Sequence, residues 1–389
     1  MNKMIEVLPW TEFLDVHLHK DTGIFVSEFA REYGISCEIV FCDNPITGTT
    51  VSEYDGVKLV KLENKYAYKK PPRFRQIFNF FRFLSIFMNY LRSQKGCFSH
   101  IMLFHITPYS LFLSKFIKKE FAGVKVYLKA DSRGLKGASN LIFYQILKYV
   151  DLISFESQSE VESLISRYKK KLVKKIAYVP NGFYADESMP FNIERKENII
   201  LSVATFGSLP KNTELLLDIL SSVDLKDFKV VLVGPVEPEF DTYVKSFFEK
   251  NKNLKNKIQF IGNISERKKL YELYQKSKIF IFTSRWESFG LVLLEAAWFG
   301  NFIISTDVGT AKALVNKIKT GFVSDENPND DNVRDKLFNS LVGELQKTIN
   351  KAIANKPLVD SKLIQVIRDE YSLPGIVQKE CFKEFFSRT

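Results

Sequence analysis

Residues 279–295 read IFIFTSRWESFGLVLLE, and this stretch decides the fold. Its first four residues are β-branched or aromatic, which predicts a short buried strand. The polar residues 284–290 predict a turn, and the apolar, helix-favouring residues 291–299 predict a buried helix. Where a strand enters a helix through a tight loop, the first N–H groups of the helix lack partners and bind anions such as phosphate.

Glu287 and Glu295 bracket the start of this helix, eight positions apart. If the chain between them is helical, a rise of ~1.5 Å per residue separates them by ~12 Å, too far to share a proton. They suit the two ends of one long polar ligand with an anionic group between them. Either glutamate alone has an ordinary explanation, as a partner of the helix dipole or as a satisfied core carboxylate. The pair, with Ser288, Phe289 and Gly290, favours a binding site.

The composition is that of a soluble globular protein, with 45% hydrophobic and 26% charged residues. The 389 residues suffice for two domains, and the net charge of +11 favours anionic partners. No signal peptide and no apolar run of membrane-spanning length is visible, and the four cysteines lack zinc-site spacing. We therefore expect a cytoplasmic protein with buried, reduced thiols.

The first half of the chain alternates predicted strands and helices. A strand at residues 4–8 precedes a helix at 24–33, which stops at Gly34, and a second strand follows at 37–42. Gly23 falls in the loop before this helix and marks either a phosphate- or substrate-binding loop or an ordinary turn.

Residues 69–95 form an unusual aromatic and basic segment. Polar residues recur at 75, 79, 82, 85, 89 and 92, which predicts a helix with one polar stripe and a wide apolar face. Such a helix is either buried or lies at a bilayer interface, and the flanking lysines and arginines favour an anionic membrane surface. Basic residues among aromatics also fit single-stranded nucleic acid, although less well than packing.

Two candidate polar residues end strands of the first half. His105 closes the predicted strand 100–105, and Asp131 closes the strand 124–131. Side chains at the carboxyl ends of parallel strands lie at the ligand edge of an α/β sheet. A capped structural histidine explains His105 equally well.

The second half repeats the alternation, with predicted strands at residues 199–203, 228–233, 258–262, 279–282 and 302–306. Two halves of this kind predict an α/β protein with two doubly wound domains facing a cleft. Lys211 lies where a loop meets the predicted helix 213–220, at the ligand edge of the second sheet. A lone surface lysine also serves solubility alone.

The run from Ser284 to Leu291, with Glu287, Glu295 and Gly300, resembles the E-x7-E signature of the retaining GT-B glycosyltransferases of family 4. The resemblance implies two Rossmann-like domains that face an interdomain cleft. It implies that Glu287 contacts hydroxyls of a donor sugar and that Glu295 holds the ribose. The backbone between them, including Ser288, Phe289, Gly290 and Leu291, would bind the diphosphate.

The same resemblance implies roles for other residues of the second half. Lys211 would bind the donor diphosphate, and Gly262, Asn263 and Ile264 would border the nucleotide base. The arginine that the family carries beside this lysine is replaced here by Thr205. Arg285 could supply the missing charge, although its neighbours also allow a solvent-facing side chain.

The first half departs from the family pattern at two places. The family's Gly-Gly pair is reduced to Gly23, and Asp131 has no adjacent histidine. Lys129 or His105 could substitute for that histidine. The candidate catalytic residues are therefore Glu287, Lys211, His105 and Asp131.

The resemblance implies an acceptor-binding domain at residues 1–184, a nucleotide-sugar-binding domain at 185–372, and a C-terminal helix within 373–389 that returns to the first domain. It implies transfer of a sugar from a UDP- or GDP-sugar to a glycan or lipid-linked glycan, in bacterial surface polysaccharide or glycan assembly. No Asp-x-Asp metal motif is present, so we expect no metal and no cofactor. Residues 69–95 are a candidate contact with an anionic membrane, on its inner face, as the alternative to burial of this helix, and no nucleic acid is expected.

Two other functions stay open at this point. A nucleotide-sugar epimerase or phosphorylase would keep the fold and change the reaction. A non-enzymatic basic module would bind membrane or nucleic acid through the charged, aromatic segment and would not need Glu287.

Overall fold

The chain divides into two units, each built on its own parallel sheet in the computed structural model. The first unit comprises Met1–Tyr184 and Leu373–Thr389, and the second comprises Ala185–Ser372. The structure describes residues 3–8, 17–18, 20–42, 51–63, 73–130, 140–168, 170–183, 196–354, 356 and 358–387, without the side chains of 73–79, 140 and 170–171.

The first unit carries an eight-stranded sheet in the order β3-β4-β2-β1-β5-β6-β7-β8. Its strands are β1 (Lys3–Leu8), β2 (Ser36–Cys42), β3 (Glu53–Tyr54), β4 (Val57–Leu62), β5 (His100–Phe104), β6 (Lys125–Ala130), β7 (Leu152–Phe155) and β8 (Ile176–Tyr178). All neighbours pair in parallel except β3 and β4. A parallel sheet needs crossover helices, which cover both faces and make its strands apolar throughout.

The helices of this unit before residue 184 are α1 (Asp21–Tyr33), α2 (Arg73–Ser93), α3 (Pro108–Glu120), α4 (Asn140–Tyr149), α5 (Gln158–Arg167) and α6 (Lys170–Val173). Helix α1 begins at Asp21, three residues before the predicted start, so Gly23 lies in its first turn and not in a preceding loop. The fold requires glycine here because a Cβ would lie 2.1 Å from the Leu18 carbonyl oxygen. The expectation of four buried cysteines is wrong for Cys97, which is exposed.

Helix α2 follows the predicted polar stripe. From residue 80 onward its buried residues are Phe83, Leu84, Phe87, Met88 and Leu91, and its exposed polar residues are Arg82, Ser85, Asn89 and Arg92. Burial in the core of the first unit therefore accounts for most of the apolar face. Phe81 departs from this pattern, with 48% of its surface exposed. Residues 64–72 and the side chains of 73–79 lie outside the described residues.

The second unit carries a six-stranded, all-parallel sheet in the order β11-β10-β9-β12-β13-β14. Its strands are β9 (Glu197–Val203), β10 (Lys229–Val233), β11 (Ile258–Gly262), β12 (Ser277–Phe282), β13 (Phe302–Ser305) and β14 (Gly321–Val323). Strands β10 and β11 are added on one side of β9, and strands β13 and β14 are added on the opposite side of the sheet, next to β12. The point between β9 and β12 is therefore the topological switch point, where loops diverge and leave a crevice at the carboxyl edge.

The helices that connect these strands or follow them are α7 (Thr213–Ser222), α8 (Asp241–Lys250), α9 (Arg267–Lys276), α10 (Leu291–Trp298), α11 (Ala311–Ile318), α12 (Arg334–Ile353) and α13 (Ser361–Tyr371). The prediction of two doubly wound α/β halves is confirmed. In the described part of the chain, no helix is long and apolar enough to span a bilayer.

The C-terminal segment of the first unit forms α14 (Leu373–Val377) and α15 (Glu380–Phe386), two short helices in place of one. They pack on α1 through aromatic rings. The Phe29 and Phe382 centroids are 4.8 Å apart, and Tyr33 stacks on Phe386 at 4.3 Å. The Tyr33 hydroxyl donates to the Val377 carbonyl at 2.7 Å, so this segment completes the apolar core around α1.

Glu6 on β1 gives a test of this packing. Its side chain is fully buried, and neither carboxyl oxygen has a hydrogen-bond partner within the described residues. Burial, and secondarily the charge of Asp21, raises the pKa of Glu6 well above its usual value. The folded state then binds one more proton than the unfolded state above about pH 4.5, so the free energy of unfolding must fall as pH rises through that window.

We therefore expect Glu6→Gln to remove a slope of up to about 1.4 kcal/mol per pH unit. Urea unfolding of both proteins between about pH 5 and pH 9 measures it. The control is Glu53→Gln, because Glu53 is exposed on β3 and should leave the wild-type pH dependence unchanged. Parallel curves for wild type and Glu6→Gln would show that Glu6 is ionised in the folded state.

Candidate active site in the second unit

The loop between β12 and α10 is held by hydrogen bonds from neighbouring loops. Thr306 follows β13, and its hydroxyl donates to the Ser284 carbonyl at 2.6 Å. The Thr283 hydroxyl donates to the carbonyls of Lys211 and Asn212, each at 3.2 Å. These bonds hold the loop after β12 in place at the switch point. The predicted site residues Arg285 and Glu287 follow directly in this loop.

Gly290 turns this loop into helix α10. Its φ of 82° lies in the left-handed region, which glycine adopts without a steric cost. The Phe289 carbonyl accepts from the N–H and the hydroxyl of Thr310, at 2.8 and 2.9 Å. Within the described residues, the N–H groups of Phe289, Gly290 and Leu291 donate to no acceptor. The helix start thus presents N–H groups without acceptors, which is the local structure that the prediction of an anion-binding site requires.

Glu287 and Lys211 form an ion pair across the switch point, because one follows β12 and the other follows β9. The Ser284 hydroxyl also donates to Glu287 Oε1, at 3.1 Å. The two side chains are 15% and 24% exposed, so solvent reaches both charges. The structure therefore brings together the two residues of the second unit predicted to be catalytic.

The loop of Lys211 is anchored to the loop of Glu287 through the backbone. The Arg285 N–H donates to the Pro210 carbonyl at 2.7 Å. Lys211 ends a 3₁₀ turn, and Asn212 follows with a φ of 49° before α7 starts. The lysine is placed by this backbone geometry and is not a freely moving surface residue.

Glu295 lies in the second turn of α10 and is only 5% exposed. Its Oε1 accepts from Arg267 Nη1 at 3.0 Å. Burial raises the pKa of Glu295, whereas the Arg267 charge and the nearby Tyr274 hydroxyl lower it. The sequence analysis named Glu295 but missed Arg267, which begins α9 just beyond the turn predicted to border the base.

That turn follows β11. Gly262 has a φ of 73°, and its carbonyl accepts from the Gly234 N–H at 2.8 Å, which joins the ends of β10 and β11. Asn263 is exposed and Ile264 is partly exposed. The structure thus places this turn at the carboxyl edge of the second sheet, four residues before α9.

Thr205 does not replace the missing arginine, because its hydroxyl carries no positive charge. Its carbonyl accepts from the Ser208 hydroxyl at 2.7 Å and closes a local turn. Arg285 is partly exposed and forms no ion pair within the described residues. Arg285 is therefore available to an anionic ligand. In the described part of the chain, no group of three or more His, Cys, Asp or Glu side chains is arranged to hold a metal ion.

Of the two candidate catalytic residues of the first unit, the structure describes His105 but not Asp131. His105 directly follows β5 with a φ of 59°, its N–H donates to the Lys129 carbonyl at 2.9 Å, and its carbonyl accepts from Ser110 Oγ at 2.8 Å. A non-glycine residue in the left-handed region is uncommon and is found at functional sites. Asp131 lies outside the described residues.

Lys129, which the sequence offered as a substitute for a histidine, is 1% exposed. Its Nζ lies 3.9 Å from Glu156 Oε1 and 4.8 Å from the Phe25 ring centroid. Asn181 Nδ2 donates to the same Glu156 oxygen at 2.9 Å. Lys129 is therefore part of a buried polar cluster, and the sequence analysis did not identify Glu156 or Asn181 as its neighbours.

Comparison with known proteins agrees with this geometry. Residues 185–356 match the model of the family described as glycosyl transferases group 1, so the second unit is similar to that family. It is 30% identical over 151 residues to the amylovoran biosynthesis glycosyltransferase AmsD of Erwinia amylovora, which covers 39% of each chain. The alignments span only 33% to 44% of the length of the first curated relatives.

Solved structures match over nearly the whole chain. Sucrose-phosphate synthase from Thermosynechococcus elongatus gives a TM-score of 0.68 at 17% identity, over 97% of this chain and 96% of that one. HepE of Anabaena, solved in complex with UDP and glucose, gives 0.65 at 16% identity, over 97% and 98%. At these identities the likeness establishes the fold, which is GT-B.

Gly309 tests how tightly the Glu287 loop is held. It has a φ of 54°, and a Cβ there would lie 2.4 Å from the Phe289 carbonyl oxygen and 3.2 Å from Glu287 Cβ. We expect Gly309→Ala to lower the free energy of unfolding by about 1–3 kcal/mol, because the chain must strain or the loop must move. Denaturant titration measures the change.

Gly343→Ala is the matched control, since Gly343 lies within α12 and a Cβ there would meet open space. Alanine should raise the free energy of unfolding by about 0.4–1 kcal/mol at that position. Equal effects of the two substitutions would mean that the Gly309 backbone does not constrain the loop.

Proposed function

We propose that the chain is a retaining glycosyltransferase that moves a sugar from a nucleoside diphosphate sugar to an acceptor hydroxyl. The observation that carries the proposal is the Lys211–Glu287 pair at the switch point, beside the helix N–H groups at Phe289, Gly290 and Leu291. A cation and free N–H groups attract a diphosphate, and an adjacent carboxylate accepts hydrogen bonds from sugar hydroxyls.

Lys211 and the helix N–H groups act on the leaving group. As the bond between the anomeric carbon and the phosphate oxygen breaks, negative charge grows on the diphosphate. Preorganised donors stabilise that charge more than they stabilise the ground state, which is the usual source of electrostatic catalysis. Arg285, which neighbours Pro210 through its backbone, adds positive charge to the same edge. We propose that these groups supply the stabilisation without a metal ion.

Glu287 orients the donor sugar. Its carboxylate, which the Lys211 ammonium and the Ser284 hydroxyl hold in place, accepts from the hydroxyls of the sugar ring. The departing phosphate oxygen takes the proton of the acceptor hydroxyl as the new bond forms on the same face of the anomeric carbon. Configuration is thereby retained, and no side chain has to form a covalent intermediate.

We further propose a UDP- or GDP-sugar as the donor and a glycan or lipid-linked glycan as the acceptor. HepE of Anabaena was solved with UDP and glucose, which supports a UDP-sugar donor. AmsD is named for amylovoran biosynthesis, which supports a role in bacterial surface polysaccharide or glycan assembly. The acceptor is assigned to the first unit, with His105 and Asp131 as the candidate residues there.

Glu287→Gln tests this assignment. Glutamine keeps the size of the side chain but removes its negative charge and replaces one of the two acceptor oxygens with an NH₂ donor. We expect sugar transfer to fall by roughly 10²–10³, the usual loss for one electrostatic contact in the transition state. Wild type and variant should both still bind UDP or GDP, which at a hundred times the dissociation constant adds about 2.7 kcal/mol of stability.

The control is Glu272→Gln, an exposed position on α9 that should transfer sugar as the wild type does. Donor consumption without an acceptor would instead indicate an epimerase or a phosphorylase. Full activity in Glu287→Gln would contradict the proposed role of this carboxylate. No stabilisation by either nucleotide would remove the proposal itself.

We also propose that the segment 69–95 rests on the inner face of the cytoplasmic membrane as a peripheral contact. The support is that Phe81 and the adjacent Arg82 are both exposed in the N-terminal half of α2. The basic residues Lys69, Lys70 and Arg73 precede them in the sequence. Phe81→Ser should reduce sedimentation with vesicles that contain about one third phosphatidylserine, and sedimentation should fall with added salt. Phe87→Leu, a substitution in the buried stripe, should leave it unchanged; equal binding of the Phe81 variant and wild type would refute this contact.

A further inference from the structure

Arg267 is an unassigned residue at the ligand edge of the second sheet. It is the first residue of α9, directly after the Gly262 turn and its short connection, and its side chain is 37% exposed. Its Nη1 lies 3.0 Å from Oε1 of Glu295, whose side chain is 6% exposed. The partly exposed Arg267 side chain therefore forms an ion pair with Glu295, whose carboxylate is almost fully buried.

A carboxylate in this position has a strong tendency to take up a proton, because burial penalises its charged form. The groups on α9 that act on it are Arg267 and Tyr274, and Tyr274 is fully buried. The Arg267 guanidinium lies over the Tyr271 ring, with Cζ of Arg267 5.6 Å from the ring centroid. The positive charge that stabilises ionised Glu295 thus comes from Arg267.

Charged groups on the other helices that pack near α10 have partners of their own. Arg368 of α13 lies over the Trp298 ring and donates to the Trp298 carbonyl. On α11, Lys312 pairs with Asp307 and Asp325, and Lys317 pairs with Glu370. Strand β13 carries no titratable side chain. Among the residues that the structure describes, Arg267 is therefore the cation that pairs with the Glu295 carboxylate.

We infer that Arg267 is a positioning residue that holds Glu295 ionised and oriented, so that its carboxylate accepts hydrogen bonds from both ribose hydroxyls of the nucleotide. The inference rests on the proposed function, because it takes Glu295 as the ribose-binding residue. An ionised carboxylate accepts from two hydroxyls at once, whereas a protonated carboxyl offers a donor in place of one acceptor. Recognition of the ribose then requires the arginine.

The test compares ribose with deoxyribose nucleotides. Calorimetric titration measures the dissociation constants of UDP, GDP and their 2′,3′-dideoxy analogues for wild type, Arg267→Ala and Arg267→Lys. We expect Arg267→Ala to weaken the ribose nucleotide on the order of tenfold and to leave the dideoxy analogue nearly unchanged. Arg267→Lys keeps the charge and should recover part of the loss.

The pH dependence separates this role from simple packing. Without Arg267, burial alone sets the protonation of Glu295, so affinity for the ribose nucleotide should fall further as pH is lowered from about 8 to about 6. Wild type should show no such fall, and neither should the control Lys269→Ala, whose charge pairs with Glu266 on the same helix turn. KM for the donor sugar should rise in Arg267→Ala more than kcat falls.

Two outcomes overturn the inference while the proposed function stands. One is equal weakening of the ribose and dideoxy nucleotides, which would assign Arg267 to the diphosphate or to packing. The other is a loss in Arg267→Ala that does not change with pH. If wild type binds neither UDP nor GDP, the proposed function fails, and the inference fails with it.

Arg267→Ala leaves a buried carboxylate without its partner and can fail to fold. The double variant Arg267→Ala/Glu295→Gln removes both charges and covers that case. It should bind ribose and dideoxy nucleotides equally, as Glu295→Gln alone should, so that loss of Arg267 adds nothing once Glu295 is neutral. Additive losses in the double variant would refute the coupling.

Discussion

The ion pair between Lys211 and Glu287 is the contact on which the second unit's site depends, because it joins the two loops that leave the sheet in opposite directions. The loops that follow parallel strands lie at the carboxyl edge of the sheet, but the strands alone do not hold those loops against each other. The hydrogen bond between Arg285 and Pro210 does so through the backbone, and the ion pair does so through charge. A ligand that enters here meets a cation and an anion that are already fixed.

The two glutamates of the E-x7-E pattern occupy different environments, although they belong to one short segment. Glu287 precedes the helix, is reached by solvent and pairs with Lys211. Glu295 is almost fully buried and forms an ion pair with Arg267, a residue of another helix. One motif therefore contains an accessible contact for a ligand and a contact whose charge state is set by the surrounding protein.

The features with a local cause were predictable from the sequence, and those that depend on distant contacts were not. The strand, turn and helix around Glu287 follow from residue types within one segment, and the polar stripe of α2 predicted which side chains face solvent from residue 80 onward. The predicted start of α1 was wrong because glycine is typical of loops. In the structure, Gly23 lies in the first turn of the helix, where the close approach of the Leu18 backbone leaves no room for a Cβ atom. Arg267 was missed because no spacing rule links residues that far apart on two helices. Lys129 lies on an apolar strand, and only the folded sheet shows that Glu156 neutralises it.

The aromatic contact of Phe29 and Tyr33 with Phe382 and Phe386 also has a consequence for biosynthesis. The first unit takes α14 and α15 from residues 373–389, which follow the entire second unit in the sequence. A ribosome that has made residues 1–184 has therefore not yet supplied the side chains that cover α1. During translation that apolar surface stays uncovered while the second unit emerges and folds, and the first unit is completed only after residues 373–389 have left the ribosome.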